Sequence, residues 1–270
     1  MHTWYSDGET GVARMARAAK ERGLLEIAVT DHGMSRPFGG MKWRKVPKII
    51  SEIESARPDL PVLFGVEANL VSTKGHIDVS EKLREKLDIV LMGVHLFVMY
   101  SFRAWFTFFV PNMLCKIIHY TPKCLVRRNT NIVKRAIENN QIDVWTHPGK
   151  YFRVNVVDIA EVCLRRGTLI ELNGKRISFR PIDFERMAKM GCKFIINSDA
   201  HAPKRVGDGA RAEEFLRNCD YDPQSIVNLN QTWTDFKKGG PTNDPNNVGP
   251  NQGGIVATTQ PQKRGWRRWF

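Results

Sequence analysis

Short apolar runs alternate with longer amphipathic stretches over the first 218 residues of the chain. The runs are rich in Val, Ile and Leu and are nearly continuous, a pattern typical of strands that are buried on both faces of a parallel sheet. Six such strands are predicted: Glu26–Thr30, Pro61–Val66, Ile89–Val94, Ile142–Thr146, Thr168–Leu172 and Lys193–Asn197.

The stretches between the runs have the apolar spacing of helices. Helices are predicted near residues 10–22, 47–56, 80–87, 129–140, 155–166, 181–190 and 208–217. Several of them end on a glycine after a basic last turn, as at Gly23, Gly167 and Gly191, which is a common helix stop. Strands that alternate with helices indicate an α/β fold, either an open sheet or a barrel.

Residues 96–128 interrupt this alternation with eight aromatic residues, five basic residues and no acidic one. Arg103 and Pro111 divide the segment into pieces too short for a spanning helix of about 20 residues. Three interpretations stay open for this aromatic and basic insertion: a lid over a pocket, a helix on a membrane surface, or an oligomer contact.

The last part of the chain loses the apolar period altogether. We expect one domain over residues 1–218, a short extension over 219–237, and a disordered basic tail over 238–270, which is rich in Gly, Pro and Asn. The tail ends Trp-Arg-Arg-Trp-Phe, which suits contact with a membrane or a nucleic acid as well as an idle solvated end.

Composition and charge narrow the class of protein. Hydrophobic residues at 42% and charged residues at 26% exclude disorder throughout. A net charge of +13 favours an anionic partner, such as a phosphate ester, a nucleic acid or an acidic membrane surface. The five cysteines form no metal-binding or disulfide pattern, so we expect reduced thiols and a cytoplasmic protein.

Polar, metal-binding side chains follow the apolar runs. Five of the seven histidines stand at such junctions or in the opening segment, and carboxylates join them. Because the carboxyl ends of barrel strands meet at one end of the barrel, these side chains are expected to lie together. Imidazole and carboxylate groups are the ligands of Zn, Mn and Fe, so the sequence predicts a metal site.

The motifs resemble the PHP (polymerase and histidinol phosphatase) family, and its stand-alone phosphatase-like branch most of all. They are His2-Thr-Trp-Tyr-Ser-Asp-Gly8, Thr30-Asp-His-Gly33, Gly65-Val-Glu67, Gly93-Val-His95, Thr146-His-Pro-Gly149 and Asn197-Ser-Asp-Ala-His201. The resemblance covers about residues 1–218. It implies a distorted seven-stranded (β/α) TIM-like barrel that holds two or three divalent metal ions and hydrolyses phosphoesters.

The resemblance also implies a set of metal ligands. They are His2, Asp7, His32, Glu67, His95, His147, Asp199 and His201, with Glu67 as the carboxylate that bridges two metals. The family motif reads His-x-His, whereas this chain starts at the middle position with Met1. We therefore expect the first barrel strand and the first histidine to be truncated.

The function implied is hydrolysis of a small phosphate monoester by a metal-activated hydroxide. Asp199 and His201 are the candidates for protonating the leaving oxygen, with Glu67 between the metals. Lys150, Lys175 and Arg205 are candidates for gripping the phosphate.

Three alternatives stay open. One is histidinol-phosphate phosphatase, a special case of the main prediction. Another is a phosphodiesterase or nuclease, which makes nucleic acid a less favoured partner. The third is a non-catalytic, metal-binding module that touches a membrane through residues 96–128 or the tail. The sequence leaves the substrate, the metal and the oligomeric state open.

Overall fold

The computed structural model describes residues 1–229, so the predicted tail at 238–270 and residues 230–237 of the predicted extension lie outside the described residues. Six parallel strands form one sheet in the order of the chain: β1 Ile27–His32, β2 Val62–Asn69, β3 Ile89–Gly93, β4 Val144–Trp145, β5 Leu169–Asn173 and β6 Phe194–Asn197. Each strand pairs with the next one, as at His32 beside Glu67 and Asn173 beside Asn197. The predicted α/β architecture and all six strands are confirmed.

Helices connect the strands. They are α1 Val12–Glu21, α2 Val46–Ala56, α3 Glu81–Arg84, α4 Phe102–Ala104, α5 Val110–Ile117, α6 Lys123–Asn139, α7 Val156–Arg166, α8 Pro181–Lys189 and α9 Ala210–Leu216. A π-helical turn at Trp105–Phe109 joins α4 to α5. The helix that was predicted at 129–140 starts six residues earlier, at Lys123. The aromatic insertion is itself helical. Gly167 ends α7 with a φ of 68°, in the left-handed conformation that glycine adopts readily.

Two strands run further than the apolar pattern predicts. β1 includes Asp31 and His32, and β2 continues through Glu67 to Asn69, so these polar residues lie inside the strands instead of after them. Backbone pairing with the neighbouring strand continues regardless of side-chain polarity. A search for apolar runs therefore misses the polar residues at the end of a strand.

Both edges of the sheet are covered by other parts of the chain. At one edge, the Met1 carbonyl accepts a 2.8 Å hydrogen bond from the Thr30 amide, and the His2 amide donates across to Ala200 beyond β6 at 2.8 Å. At the other edge, the Val227 amide donates to Phe194 of β6 at 2.9 Å. The first residues thereby bridge β1 and the end of β6, and the sheet curls into a barrel-like shape.

The core has an outer and an inner part. Helices pack on the outside of the sheet, where the large buried side chains include Trp145, Phe184 and Phe194. The inner side holds a small apolar cluster: Ile89, Leu91, Val144, Leu169, Ile195 and Val227, with Ala28 and Leu63 against it. Within residues 1–229, no helix is both long and apolar enough to cross a bilayer.

A pair of buried asparagines fixes the aromatic insertion to the barrel. The amides of Asn112 in α5 and Asn129 in α6 donate to each other's carbonyl oxygens at 3.0 and 2.7 Å. Asn112 also donates to Phe108, and Asn129 donates to the Arg153 carbonyl. Both amides are thereby saturated inside the protein.

We predict that Asn129→Ala lowers the free energy of unfolding by about 2 kcal/mol, because it leaves the buried Asn112 oxygen without a donor. Asn131→Ala, on the exposed side of the same helix, is the control and should change it by less than about 0.5 kcal/mol. Urea denaturation measures both. Equal effects of the two substitutions would contradict a structural role for the pair.

Candidate metal centre

The inner face of the sheet changes from apolar to polar along four of the six strands. Because strand side chains alternate with a period of two, the positions that follow the inner apolar cluster also point inward. These positions are Thr30 and His32 in β1, Glu67 and Asn69 in β2, Glu171 and Asn173 in β5, and Asn197 in β6. The carboxyl end of the barrel is therefore lined with metal-binding and hydrogen-bonding groups over an apolar floor.

Glu67 lies at the centre of this polar layer and is buried. Its Oε1 is 2.7 Å from His147 Nε2 and 3.1 Å from His95 Nε2. Its Oε2 is 3.1 Å from His2 Nε2 and 3.6 Å from His32 Nδ1. One carboxylate thus touches four imidazoles that come from four separate segments of the chain.

Asp7 forms a second point of convergence nearer the surface. Its carboxylate lies 3.3 Å from His32 Nε2 and 3.4 Å from His201 Nε2. Arg36 donates to the same carboxylate at 3.2 Å. His32 is therefore shared between Asp7 and Glu67, with one ring nitrogen on each side.

Asp199 completes the third side of the site. One of its oxygens is 3.3 Å from His2 Nε2, and the other lies 3.5 Å from Lys175 Nζ and 3.9 Å from Lys150 Nζ. Asp199 has a φ of 48° and His147 a φ of 31°, a left-handed backbone that residues other than glycine rarely adopt. Such strain is typical of functional sites, where the surrounding structure holds a side chain in a required place.

Three groups of side chains are arranged to hold metal ions. They are His2 with Asp7, His32 and His201; His32 with Glu67 and His95; and His2 with Glu67 and Asp199, and within each group the ligand atoms lie within 4.8 Å of one another. Ligands that share one ion at about 2.1 Å are themselves about 3.0–3.4 Å apart, which matches most of the distances above.

Two further observations fit metal ions at this place. The Nδ1 atoms of His2, His32 and His95 are buried without a hydrogen-bond partner. A side chain on Gly93 would come within 2.8 Å of both His95 and His147, so only glycine leaves room for the two rings. The donor set and the free ring nitrogens are therefore those that Zn, Mn or Fe require.

The protonation of the imidazoles depends on the nearby carboxylates. Burial lowers the pKa of His2, but hydrogen bonds to Asp199 and Glu67 outweigh burial and raise it to about 9. Burial and the neighbouring His2 lower the pKa of His32 to about 3. The contacts with imidazoles hold the pKa of Asp7, Glu67 and Asp199 below the usual range in spite of burial. The carboxylates are thus suited to bind cations, and the raised pKa favours a protonated His2 near neutrality when no metal is bound.

All eight residues that the resemblance implies as ligands lie at this site. His147 belongs to none of the three groups, although its Nε2 is 3.1 Å from that of His95. Lys150 and Lys175, predicted to bind phosphate, both flank Asp199. Arg205 lies further out, where it forms an ion pair with Asp208 and lines a cleft with Lys175.

Two residues of the site were missed in the sequence. Glu171 in β5 is buried and accepts hydrogen bonds from the His147 amide and from the side chains of Asn173 and Asn197. Thr146 donates from its hydroxyl to Glu67 at 2.9 Å. Glu171 did leave a signal in the sequence. It is the single charged residue in its own apolar run, and it lies two residues before Asn173, on the same face of the strand. Thr146 gave none, because threonine is common in strands.

Comparison with known proteins shows what this arrangement is similar to. A model of the PHP domain matches residues 1–145 of this chain. The chain belongs to the PHP domain family. The predicted resemblance is thereby confirmed, and the match contains the ligand candidates from His2 to His95.

Two relatives align over most of this chain and most of their own length. A probable phosphatase of Caldanaerobacter subterraneus subsp. tengcongensis is 28% identical over 229 residues, which cover 79% of this chain and 78% of that protein. A probable phosphatase of Thermoanaerobacter sp. strain X514 is 26% identical over 231 residues, 80% of this chain and 83% of the relative.

Solved PHP-type structures share the fold. Histidinol phosphate phosphatase from Lactococcus lactis, in complex with zinc, L-histidinol and phosphate, aligns with a TM-score of 0.57 at 15% identity, over 82% of this chain and 92% of that one. A putative histidinol phosphatase from Listeria monocytogenes aligns with a TM-score of 0.50 at 15% identity, over 77% and 96%. At 15% identity, the likeness to these structures shows the fold alone.

We predict that Glu67→Gln lowers the affinity for Mn²⁺ by at least about 100-fold, because a buried anionic oxygen shared by two of the three groups is lost. Metal content after dialysis and calorimetric titration measure the effect. Glu171→Gln is the matched control, since Glu171 is an equally buried carboxylate outside the three groups. Similar metal loss in both variants would contradict a central place for Glu67.

We also predict that Mn²⁺ binding strengthens as the pH rises from 7 to 9. A metal ion needs the neutral imidazole of His2, and below its pKa of about 9 the ion must displace a proton. Each pH unit in this range should raise the apparent affinity about tenfold for one displaced proton. Titration calorimetry in buffers of different ionisation enthalpy counts the protons released, and release of none at pH 7.5 would refute the prediction.

Proposed function

We propose that this protein is a metal-dependent phosphatase that hydrolyses small phosphate monoesters. The observation that carries the proposal is the convergence of five imidazoles and three carboxylates at the carboxyl end of a PHP barrel, with Lys150 and Lys175 beside them. The prediction of a hydrolase acting on phosphoric esters agrees with the names of the relatives. The ligand roles of the eight residues are part of this proposal.

The clusters of described residues support a division of the metal-holding groups. His2, Asp7, His32 and His201 would hold one ion, while Glu67 links His95 and His32 on one side to His2 and Asp199 on the other. Divalent ions held there would supply an activated water for attack on phosphorus and would neutralise negative charge on the phosphoryl group. Two or three ions fit this ligand set.

The charge of the site favours a monoester over a diester. The ligand set carries three negative charges when its histidines are neutral, so two divalent ions leave it with an excess positive charge. Lys150 adds to this charge, since Tyr151 and Asp199 raise its pKa above the usual value in spite of burial. Lys175 lies at a similar distance from Asp199. Such a site attracts the dianion of a monoester more strongly than the single charge of a diester.

The proton for the leaving alcohol is assigned to His201, in which case His2, Asp7 and His32 would hold the first ion without it. Asp199 stays ionised near neutrality, because its contact with His2 lowers its pKa, and it therefore serves as a ligand. His201 is the most exposed of the five imidazoles at the site, and Lys175 Nζ lies 2.9 Å from its Nδ1. Lys175 thereby links the phosphate-binding side of the site to the proton donor.

The apolar and aromatic surroundings shape the pocket for the alcohol. The rings of His95 and His147 pack against Tyr151, with centroids 6.0 and 5.7 Å apart. Behind Tyr151, on the outer side of the sheet, Phe108, Trp145 and Phe152 line a cavity that is too small for a substrate. L-Histidinol phosphate is one candidate substrate among small esters, suggested by the ligand of the Lactococcus lactis structure.

The test is hydrolysis of a panel of monoesters by full-length protein loaded with Mn²⁺ or Zn²⁺. The panel contains p-nitrophenyl phosphate, L-histidinol phosphate and sugar phosphates, with bis-p-nitrophenyl phosphate as the diester. We predict activity on monoesters that a chelator abolishes, and a loss of at least about 100-fold in kcat/KM for His147→Ala. Lys175→Gln should raise KM, whereas Lys193→Gln, at the opposite end of β6, should behave as wild type.

Undiminished activity in His147→Ala or in the chelated protein would refute the metal mechanism. Cleavage of the diester in preference to every monoester would instead favour the phosphodiesterase alternative. Binding of metal without hydrolysis of any ester would favour the non-catalytic alternative.

A further inference from the structure

The outer side of the aromatic insertion carries an unusual concentration of exposed apolar side chains. Fourteen large hydrophobic side chains are well exposed within residues 1–229, and nine of them lie between residues 97 and 120. We call these nine the aromatic face: Phe97, Met99, Phe102, Trp105, Phe106, Leu114, Ile117, Ile118 and Tyr120. Single exposed apolar residues are normal, but a large patch in one place marks an interaction surface.

The aromatic face is held outward by a well-packed opposite side. Phe108 and Asn112 of the same helical segment are buried, and Phe108 packs edge-on against Phe152 at 5.2 Å between centroids. Trp105 stacks on Phe109 at 4.6 Å. Because the inner side is already filled by these contacts, the exposed residues have no room to turn into the core.

The segment that carries the aromatic face has charges of one sign only. No acidic residue occurs between Asp88 and Glu138. Five exposed basic residues lie within residues 96–128: Arg103, Lys116, Lys123, Arg127 and Arg128. An apolar helical face with a basic rim is complementary to a surface that is apolar inside and anionic outside.

The same charges disfavour a second copy of the chain as the occupant. Most symmetric dimers place the same patch of both subunits against itself. Such a contact here would bring two sets of five basic residues together with no acidic residue from the segment to balance them. The charge pattern therefore selects an anionic partner.

We propose that the aromatic face docks this protein onto an anionic phospholipid bilayer. The helices lie along the interface, with Phe102, Phe106 and Ile117 inserted among the acyl chains and Arg103 and Lys116 at the headgroups. The segment begins directly after His95, and the Tyr100 hydroxyl donates to the His95 carbonyl at 2.6 Å. Docking therefore brings the metal centre close to the membrane surface.

Vesicle flotation of the full-length protein tests the proposal. The probes are vesicles of phosphatidylcholine with phosphatidylglycerol, and vesicles of phosphatidylcholine alone. We expect the wild type to float with the anionic vesicles and to release as salt is raised. Phe102→Ser combined with Ile117→Ser should weaken binding at least about tenfold, since two large apolar groups lose their burial.

The matched control is Leu25→Ser combined with Ile182→Ser, which removes exposed apolar side chains outside the aromatic face. It should bind as the wild type does, and circular dichroism verifies that both double variants are folded. Equal flotation of Phe102→Ser/Ile117→Ser and wild type would overturn the proposal, because other surfaces such as the basic tail would then bind the vesicles. Absence of flotation, with a dimer in sedimentation that Phe102→Ser/Ile117→Ser dissociates, would also overturn it and assign the face to a second copy.

Discussion

The contact between the buried Glu67 carboxylate and four imidazoles is the interaction on which the rest of the site depends. A lone carboxylate in this position would be expensive to bury, and four neutral rings around it would leave buried nitrogens without partners. Together they compensate each other only in part, because Nδ1 atoms of His2, His32 and His95 stay unpaired. Cations between these donors would stabilise both the buried carboxylate and the imidazoles, so the cluster is better suited to holding metal ions than to serving as a self-sufficient polar core.

The positions of these groups follow from the geometry of a parallel barrel. The strands supply an apolar floor from residues such as Leu169 and Ile195, and two residues further along each strand the inner face is polar, at Glu171 and Asn197. The cost of this arrangement appears in the backbone, where His147 and Asp199 adopt left-handed conformations. At Gly93, the absence of a side chain leaves room for the rings of His95 and His147. The strained backbone thus lowers stability while it places the candidate ligands.

The sequence predicted the strands well and identified the side chains that the structure brings together at their ends, because both leave strong local signals. Continuous apolar runs identify buried parallel strands, and a histidine or carboxylate just past five of the six runs is improbable by chance. The groups that support the ligands were harder to find. Thr146 looks like any strand threonine, and Arg36 contacts Asp7 only because the loop after β1 folds back over the site. The helical form of residues 102–117 was also missed, since aromatic residues occur in helices and strands alike and the packing against Phe152 is long-range.

The first two residues join the edges of the sheet and also contribute His2 to the candidate metal centre, so the centre is coupled to folding. His2 reaches Glu67 and Asp199 only because Met1 pairs with Thr30 of β1 and the His2 amide bonds to Ala200 after β6. The ligand that carries the raised pKa thus stands on the segment that bridges the first and last strands. Ions held by His2 and Asp199 together would also link the two edges, so the free energy of metal binding would contribute to closing the sheet. Metal binding at this place would therefore stabilise the barrel and the site as one unit.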